Sequence, residues 1–586
     1  MPTEDLTLVD MLERASHNPE TGLRMIDRYE DAELFAYPDV WRRALGVCGG
    51  LQDLGVEPGD RVALVYPTSM EFVDAFFGTI LAGALPVPLY PPVRLHRLEE
   101  YQARTIRMLR AVEAVLVLAE SRVRRVLGPA VAAAEPPLGC RVLGDLFGGP
   151  GEPIRPSADT LAMVQFSSGT TVDPKPVALS HRAVLAQIDG LNAHWPIDTG
   201  IDHSGVSWVP LYHDMGLIGC VIAAVAVPGT MTLIPPELFL ARPAVWLRTL
   251  SATGATISVA PNFGYGLCVD KIKDEQIEGI DLSRWRVALC GAEPVVPRVM
   301  RRFIDRFTPY GLRPEALTPV YGMSEATLGV TFSDLRRPFV SRCFDRELLS
   351  RDGRAVEAVD GVELVSVGRP IAGAEVRVVD GDAVELNEGL VGDVLARGPS
   401  IMDGYFNRPE ATREAFRDGW LDTGDLGFIH TGELFLTGRK KDVLILRGRC
   451  HSPTEVEAAV DEVAGVRTGC SVAVSWLPDG EDGEVLLLLV EAHRTVKHDD
   501  FAALAEACRR EVRSATGLAV DGVEVLVPGT LPRTSSGKLR RQESLRLYLA
   551  DELDAPRPMT PWRLAGAAVR GSLEVARLNR KIRGRG

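Results

Sequence analysis

The sequence has no paired cysteines, no excess of basic residues and no apolar run at its start. Nine cysteines are scattered over 586 residues without a C-x-x-C pair, which favours reduced thiols and argues against a disulfide framework. The formal net charge is −14, which argues against nucleic-acid binding because such binding needs a basic face. The acidic start, Met1 to Asp5, shows no secretory signal, so we expect a cytoplasmic protein.

One stretch, Met215 to Pro236, has no charged residue and is long enough to span a bilayer. Pro228-Gly229 and Pro235-Pro236 interrupt it, and the polar pair His213-Asp214 precedes it directly. We therefore predict a buried helix followed by a buried strand rather than a membrane span.

The composition, 46% hydrophobic and 25% charged, is typical of globular proteins, and 586 residues predict two or more domains. In the first 160 residues short apolar runs such as Arg61 to Tyr66 alternate with helical patterns such as Asp74 to Ala84, which predicts a layered α/β architecture. From Val362 short strands separated by Gly-rich turns predict a β-rich subdomain, and a compact piece of strands and helices follows Gly438 to Asp442.

The C-terminal tail, Arg557 to Gly586, carries eight basic residues and a single acidic one, Glu574. Its loose apolar stripe predicts a helix that is either solvated or docked on the rest of the protein. Contact with an acidic partner or an anionic membrane is the alternative interpretation.

A polar turn from Phe166 to Lys175 follows an apolar run and precedes a helical segment, Ser180 to Leu191. Hydroxyl groups, glycine N–H groups and a lysine can bind phosphate oxygens, although the Walker A spacing is missing and a plain polar turn is the alternative. The candidate phosphate-binding residues are Ser167, Ser168, Gly169, Thr170, Thr171 and Lys175.

A second motif runs from Tyr321 to Glu325 and comprises Tyr321, Gly322, Met323, Ser324 and Glu325. Its aromatic ring can stack on a purine, and its carboxylate can hold magnesium, a cation that prefers oxygen ligands. A G-x-S-x-G nucleophile elbow fails at Ala326, so a hydrolase is not favoured.

Two further motifs supply single charged groups. Asp422 to Asp425 predicts a turn whose carboxylate could accept hydrogen bonds from ribose hydroxyls, and Arg439 could reach phosphate or ribose. Thr534 to Lys538 are predicted to end a strand, and Lys538 could enter another domain's cleft as a point charge. Taken singly, an ordinary acidic turn and a solvent-exposed lysine are the simpler interpretations.

In this order, and with Gly291-Ala292-Glu293-Pro294 between them, the motifs resemble the adenylate-forming superfamily of acyl-CoA synthetases, peptide-synthetase adenylation domains and luciferases over roughly residues 20–548. Within it the chain is most similar to the fatty acyl-AMP ligases, or long-chain fatty acid adenylases. That similarity rests on Ser207 to Leu217, on Tyr90-Pro91-Pro92 and on the long segment between Glu325 and Gly368. Val172 and Pro176 depart from the pattern by replacing glycines, and Arg447 to Pro453 matches it only partly.

The resemblance implies an α/β fold like that of acyl-CoA synthetases and luciferases. A large N-terminal adenylation domain, residues 1–438, would combine layered α/β subdomains with a β-rich subdomain and an extra segment at about 331–366. A small mobile α+β domain would follow at 439–549, with its hinge at Lys441, and residues 550–586 would form the basic tail.

The resemblance also implies an ATP-dependent ligase that needs ATP and Mg²⁺ and converts a fatty acid into acyl-AMP and pyrophosphate. The acyl group would then pass to the phosphopantetheine of an acyl carrier protein, or of a carrier domain in a polyketide or peptide synthase. An acyl-CoA synthetase that uses free CoA is the enzymatic alternative, and a nucleotide-binding scaffold without catalysis is the non-enzymatic one.

The implied site residues follow the family's motifs. Lys538 would bridge the attacking carboxylate and the α-phosphate, Glu325 and Thr170 would hold magnesium, and Asp425 would bind ribose. Arg439 would reach ribose or phosphate, and His213 would gate the acyl pocket unless it is a plain core histidine. The residues that would frame the adenine are Gly291, Ala292, Glu293 and Tyr321. The other implied nucleotide-binding residues of that motif are Gly322, Met323 and Ser324.

Overall fold

The computed structural model describes residues 6–92, 97–146, 149–167, 174–194, 203–446, 449–478, 484–534, 537–555 and 561–583. Up to residue 194, strands and helices alternate as the apolar runs predict. The strands there are β1 (Gly22–Ile26), β2 (Ala32–Ala36), β3 (Arg61–Val65), β4 (Leu85–Leu89), β5 (Leu116–Ala119), β6 (Cys140–Arg141), β7 (Leu161–Phe166) and β8 (Pro176–Ser180). The helices are α1 (Leu8–Ala15), α2 (Tyr37–Asp53), α3 (Met70–Leu81), α4 (Leu98–Ala111), α5 (Ser121–Ala134) and α6 (His181–Asn192).

Residues 203–332 continue the α/β pattern. Their strands are β9 (Gly205–Ser207), β10 (Met231–Leu233), β11 (Ile257–Ala260), β12 (Val287–Cys290), β13 (Leu317–Gly322) and β14 (Gly329–Phe332). Their helices are α7 (Asp214–Gly216), α8 (Ala223–Ala226), α9 (Pro236–Ala241), α10 (Ala244–Thr253), α11 (Asn262–Lys271) and α12 (Pro297–Phe307).

The uncharged stretch Met215 to Pro236 folds as predicted. It forms a mostly buried helical segment with a π-helical turn at Leu217–Ile222, and the buried strand β10 follows. Within the described part of the chain, no helix combines the length and the apolar character that a membrane crossing requires.

The β-rich part predicted from Val362 is present. The strands from residue 341 to 439 are β15 (Ser341–Phe344), β16 (Val362–Val365), β17 (Arg369–Pro370), β18 (Glu375–Val379), β19 (Gly392–Arg397), β20 (Gly404–Tyr405), β21 (Phe416–Arg417), β22 (Trp420–His430) and β23 (Glu433–Arg439). Two short helices, α13 (Arg346–Asp352) and α14 (Pro409–Ala415), complete it. The predicted extra segment contains β15 and β16, an antiparallel pair with α13 between them.

Two sheets carry the candidate site residues. A nine-stranded sheet has the order β17-β14-β13-β12-β11-β9-β10-β1-β2, and within it β9 to β13 pair in parallel. An antiparallel sheet, β18-β19-β22-β21, carries β23 on β22. Parallel strands end at one edge, so the segments that follow β9, β12 and β13 meet there.

The chain from residue 444 to 549 forms a separate α+β unit with its own apolar core, which includes Val456, Leu488 and Val512. Its strands are β24 (Leu444–Leu446), β25 (Arg449–His451), β26 (Val466–Trp476), β27 (Val485–Ala492) and β28 (Gly522–Leu526). Its helices are α15 (Pro453–Val460), α16 (Phe501–Thr516) and α17 (Arg541–Leu549). We call this unit the small domain; its boundary at residue 438 stays a prediction.

The tail forms α18 (Pro561–Arg583), which is docked on α5 rather than solvated. Gly571 and Gly128 bring the two helix backbones together, because a Cβ on either glycine would clash with the other helix. Asn579 donates its side-chain N–H to the carbonyl oxygen of Cys140 at 3.2 Å, and Lys581 pairs with Glu135 at 2.7 Å.

Candidate active site

The predicted site segments lie where parallel strands end. His213 follows β9, Gly291 to Glu293 follow β12, and Ser324 and Glu325 follow β13. Gly291 permits close strand packing, because a Cβ there would lie 2.9 Å from the carbonyl oxygen of Val320. Three segments distant in sequence are thereby presented at one edge of the sheet.

Tyr321, Asp425 and Arg439 form one cluster. The Tyr321 hydroxyl donates to Asp425 Oδ2 at 2.6 Å, and Arg439 Nε lies 3.3 Å from Asp425 Oδ1. Burial raises the pKa of the Asp425 carboxyl, while Arg439 and the Tyr321 hydroxyl act in the opposite direction. The arrangement fixes a buried carboxylate between an aromatic ring and a cation.

The predicted turn at Asp422 to Asp425 is wrong. These residues lie inside β22, and Asp425 pairs in register with Arg439 on β23. Gly424 has a φ of +70°, in the left-handed region that favours glycine. The ladder to β19 is irregular here, since it pairs Asp422 with Leu395 and resumes at Leu426 with Asp393, and the pairing with β23 begins at Asp425. The residues between form an irregularity within the strand and not a turn that ends it.

Glu325 has a partner that the sequence did not indicate. The Tyr405 hydroxyl donates to Glu325 Oε1 at 3.0 Å, and Lys175 Nζ lies 4.6 Å from the centre of the Tyr405 ring. Tyr405 is 80 residues from Glu325 in the chain, so no local pattern could have found it. The ring therefore links the phosphate-loop lysine to the predicted magnesium ligand.

The phosphate loop is described only at its ends. The Ser167 N–H donates to the carbonyl oxygen of Lys175 at 2.9 Å, and the Lys175 N–H donates to Ser167 Oγ at 3.3 Å, so the two ends are held together. Four further candidates lie outside the described residues: Ser168, Gly169, Thr170 and Thr171.

His213 belongs to a buried polar network. Its Nδ1 lies 2.7 Å from Asp214 Oδ1, and the Ser324 hydroxyl donates to Asp214 Oδ2 at 2.5 Å. Burial raises the pKa of the Asp214 carboxyl, but His213, Ser324 and Lys538 together hold that pKa well below its usual range. Asp214 is a buried anion that the sequence did not single out, although it stands beside His213 in the motif.

Lys538 lies at this site although it belongs to the small domain. Burial and the nearby Arg439 guanidinium lower the pKa of Lys538, and three carboxylates act in the opposite direction. Those carboxylates are Asp214, Glu293 and Asp425. The interpretation of Lys538 as a solvent-exposed lysine is therefore wrong.

The loop that carries Lys538 differs from the expectation in one respect. The preceding strand, β28, ends at Leu526, so Thr534 to Lys538 do not end a strand. A bridge between Arg533 and Leu539 closes the loop, and the Thr534 N–H donates to the carbonyl oxygen of Lys538 at 2.7 Å. The lysine is held by this local turn instead of by a sheet.

Lys441 lies apart from the cluster, at the junction of the two domains. Its neighbour Lys440 pairs with Asp393 on β19 at 2.8 Å, while Asp442 lies 3.1 Å from Arg541 on α17. Residue 440 is thus anchored to the large domain and residue 442 to the small one. The hinge at Lys441 stays a prediction.

Glu293 and Ala292 occupy the loop after β12. The Phe263 N–H donates to Glu293 Oε1 at 2.6 Å, and Ala292 has a φ of +67°. Burial raises the pKa of the Glu293 carboxyl, while Phe263 and Lys538 oppose that effect. Among the described ranges, no three His, Cys, Asp or Glu side chains cluster as a metal site.

Comparison with known proteins shows the family to which the chain is similar. A model described as AMP-binding enzyme matches residues 13–406. A putative acyl-CoA synthetase of Caulobacter vibrioides is 34% identical over 559 residues, which are 93% of this chain and 95% of the relative.

Two mycobacterial relatives have similar coverage. A 4-hydroxyphenylalkanoate adenylyltransferase of Mycobacterium tuberculosis is 34% identical over 93% of this chain and 92% of its own. The long-chain-fatty-acid–AMP ligase FadD23 of the same species is 31% identical over 92% and 95%. A solved structure from studies of fatty acyl-adenylate ligases of E. coli and L. pneumophila superposes with a TM-score of 0.86 at 30% identity, covering 94% of this chain and 100% of that chain.

Proposed function

Because the chain belongs to the AMP-binding enzyme family and is an ATP-dependent ligase that adenylates fatty or aryl acids, we propose that it is a fatty acyl-AMP ligase that delivers its acyl group to a carrier protein. The observation that carries the adenylation site is the position of Lys538 among buried carboxylates at the end of the parallel sheet. In this conformation Lys538 of the small domain lies near the carboxylates of the large domain.

In the first half-reaction a carboxylate oxygen bonds to the α-phosphorus of ATP, and the bond to the bridging oxygen of the β-phosphate breaks. Both reactants are anions, so alignment and charge neutralisation carry the catalysis. Lys538 supplies the positive charge between the carboxylate and the α-phosphate. Asp425 accepts hydrogen bonds from the ribose hydroxyls, and Tyr321 packs against the adenine. Arg439 pairs with Asp425 and holds its carboxylate in position.

The residues present suit magnesium. Glu325 offers a carboxylate oxygen, the Tyr405 hydroxyl orients it at 3.0 Å, and Mg²⁺ prefers one or two carboxylates together with substrate phosphates. The bound ion would neutralise charge on the phosphate oxygens. Thr170, the second predicted ligand, stays a hypothesis from the motif.

The acid is the first part of the proposal to test. We expect pyrophosphate release and acyl-AMP, detected by mass spectrometry, when the protein is incubated with ATP, Mg²⁺ and a series of saturated fatty acids. A 4-hydroxyphenylalkanoic acid serves as the aryl competitor. Acyl-AMP formed from the aryl acid alone would contradict the fatty-acid assignment.

The extra segment supports a carrier protein as the acceptor. Its helix α13 touches the small domain, because Arg346 pairs with Glu455 and Glu347 lies 3.5 Å from Arg449. Arg346 also donates to the carbonyl oxygen of Ala515 at 3.3 Å. These contacts oppose the domain rotation about Lys441 that would admit a thiol, so we propose that free CoA does not suffice and that carrier binding drives the rotation.

The basic tail is the proposed docking element for such a carrier. Arg570, Arg577 and Arg580 on α18 are exposed, and carrier proteins are usually acidic. Replacing these three arginines with glutamine should slow acylation of a purified phosphopantetheinyl carrier and leave acyl-AMP formation unchanged. Unchanged carrier acylation, together with lost binding to anionic vesicles, would instead assign the tail to a membrane surface.

The competing function is an acyl-CoA synthetase that uses free CoA. The name of the Caulobacter relative favours it, and the contacts of α13 with the small domain argue against it. Formation of acyl-CoA at the rate of adenylation would establish this alternative.

A further inference from the structure

Lys538 lies at the end of a short turn whose internal hydrogen bonds are local. The Lys538 N–H donates to Thr534 Oγ1 at 3.0 Å, and the Gly537 N–H donates to the carbonyl oxygen of Thr534 at 3.1 Å. At the base of the turn the Arg540 N–H donates to the carbonyl oxygen of Pro532 at 3.1 Å. These bonds join residues of one short segment, so they fix the shape of the turn but not its position on the small domain.

The side chain of Arg533 connects this turn to the strand β26. Its Nη1 donates to the carbonyl oxygen of Gly537, the residue directly before Lys538, at 2.8 Å. Its Nη2 donates to the carbonyl oxygen of Gly469 at 2.8 Å and lies 2.9 Å from the sulfur of Cys470. The guanidinium group is planar and presents its N–H donors in a fixed fork. One rigid group therefore sets the distance between the turn and the strand.

The start of β26 has an irregularity that receives the guanidinium group. The pairing of β26 with β27 is interrupted between Val466 and Ser471, and Gly469, with a φ of +66°, lies in that interruption. The Gly469 N–H donates to Asp461 Oδ1 at 3.0 Å. Interruptions of this kind leave backbone groups free of the ladder. Here the Gly469 carbonyl oxygen accepts from Arg533 while the N–H of the same residue is held by Asp461.

The turn also faces the large domain. Burial raises the pKa of the Glu293 carboxyl in the loop after β12, and both Lys538 and Arg533 oppose that rise. The two cations of the turn therefore lie close enough to the large domain to act on one of its carboxylates. A shift of the turn on the small domain would change the position of Lys538 relative to that site.

We infer that Arg533 is a positioning residue, which holds the turn so that the Lys538 ammonium group lies where the proposed adenylation needs it. Groups that take part in a reaction must be held within about 0.5 Å of their productive position, and the long lysine side chain cannot secure this alone. The hydrogen bonds of Arg533 are made to the protein backbone, so it acts through Lys538. The inference rests on the proposed role of Lys538 in adenylation.

The test is steady-state pyrophosphate release, with ATP, Mg²⁺ and whichever fatty or aryl acid gives acyl-AMP. The single variants are Arg533→Met, which removes the guanidinium group, Arg533→Lys, which keeps the charge, and Lys538→Ala. The double variant combines Arg533→Met with Lys538→Ala. Arg494→Met, at an exposed arginine of the small domain, is the matched control.

Arg533→Met should lower kcat about 10- to 100-fold, because a misplacement of about 1 Å can cost a factor of 10². KM for ATP and for the acid should stay within about threefold, because the lost alignment is needed in the transition state. Arg533→Lys should recover part of the rate, since one ammonium group can replace one donor but not the fork. Arg494→Met should match the wild type.

The double variant separates positioning of Lys538 from a general loss of structure. If Arg533 acts through Lys538, the double variant should be within about twofold of Lys538→Ala, because residues that act as a unit are not additive. A further loss in the double variant equal to that of Arg533→Met alone would overturn the inference, as would activity of Arg533→Met within a few-fold of the wild type. Near-normal activity of Lys538→Ala would instead refute the proposed role of the lysine, and the inference with it.

Discussion

At the scale of single residues, Lys538 is the group on which the proposed adenylation mechanism depends most. It is the cation that the small domain contributes among Asp214, Glu293 and Asp425. Lys538→Ala should lower acyl-AMP formation about 10²- to 10³-fold, the effect of removing one strong electrostatic contact. The measurement is pyrophosphate release. Lys497→Ala, an exposed lysine of the same domain, is the control, and activity within a few-fold of wild type in Lys538→Ala would refute the assignment.

Asp214 should set the alkaline limit of that activity. Its negative charge favours the protonated form of Lys538, whose pKa burial and Arg439 already lower. Asp214→Asn removes this support, so the pKa of Lys538 falls further and the rate should decline at a lower pH than in the wild type. The check is the pH profile of pyrophosphate release, with the exposed Asp270→Asn as the control. An unchanged alkaline limb would show that Asp214 has only a structural role.

At the scale of secondary-structure elements, the docking of α18 on α5 depends on Gly571. A Cβ there would clash with the carbonyl oxygen of Arg125, whereas a Cβ on Gly566 of the same helix would meet open space. Gly571→Ala should therefore destabilise the docked helix by about 1–3 kcal/mol. Gly566→Ala should be neutral or stabilising by up to about 1 kcal/mol.

The readout for these glycine variants is limited trypsin cleavage, since α18 is rich in arginine. Gly571→Ala should be cut within α18 faster than the wild type, and Gly566→Ala should not. Equal cleavage of the two variants would mean that the helix contact does not hold the tail in place.

The contact between α1 and α6 should make stability depend on pH. The Leu8 N–H donates to Nδ1 of the buried His181 at 3.1 Å, and burial lowers the pKa of His181 to about 4. In the unfolded chain the His181 imidazole takes up a proton below a pH of about 6.5, whereas in the folded state it does so only near pH 4. The folded state therefore loses stability as the pH falls from about 6.5 towards 4. Between pH 6.5 and pH 5 the loss should be about 2 kcal/mol.

His181→Asn keeps an acceptor but cannot take up the proton. The variant should therefore lose less thermal stability than the wild type between pH 7 and pH 5, as measured by Tm in matched buffers. An identical decrease in Tm for both proteins would exclude His181 as a source of the acid sensitivity.

The sequence predicted elements better than contacts. An apolar run predicted β3 and helical periodicity predicted α3, because both patterns depend only on residues that are neighbours in the sequence. The Tyr321–Asp425 hydrogen bond joins residues 104 apart, and the Asp214–Ser324 bond joins residues 110 apart, so neither has a local signature. The turn preference of glycine and aspartate also gave a wrong prediction at Asp422 to Asp425, because these residues form an irregularity within β22 and not a turn that ends a strand.

At the scale of the whole molecule, the described arrangement of the two domains is the one that the proposed adenylation site requires. Lys538 lies at the sheet edge, Arg97 and Glu100 contact the small domain, and α13 holds it from another side. Residues 440 and 442 are anchored to different domains, and the hinge at Lys441 between them stays a prediction. The chain would pass its acyl group on only after these contacts break.

The most direct test of this account is one incubation with ATP, Mg²⁺ and a fatty acid, with and without CoA, analysed by mass spectrometry. The account predicts that acyl-AMP accumulates in both samples, because CoA alone does not release the small domain from α13. Rapid conversion of acyl-AMP to acyl-CoA would contradict it and would identify the chain as an acyl-CoA synthetase.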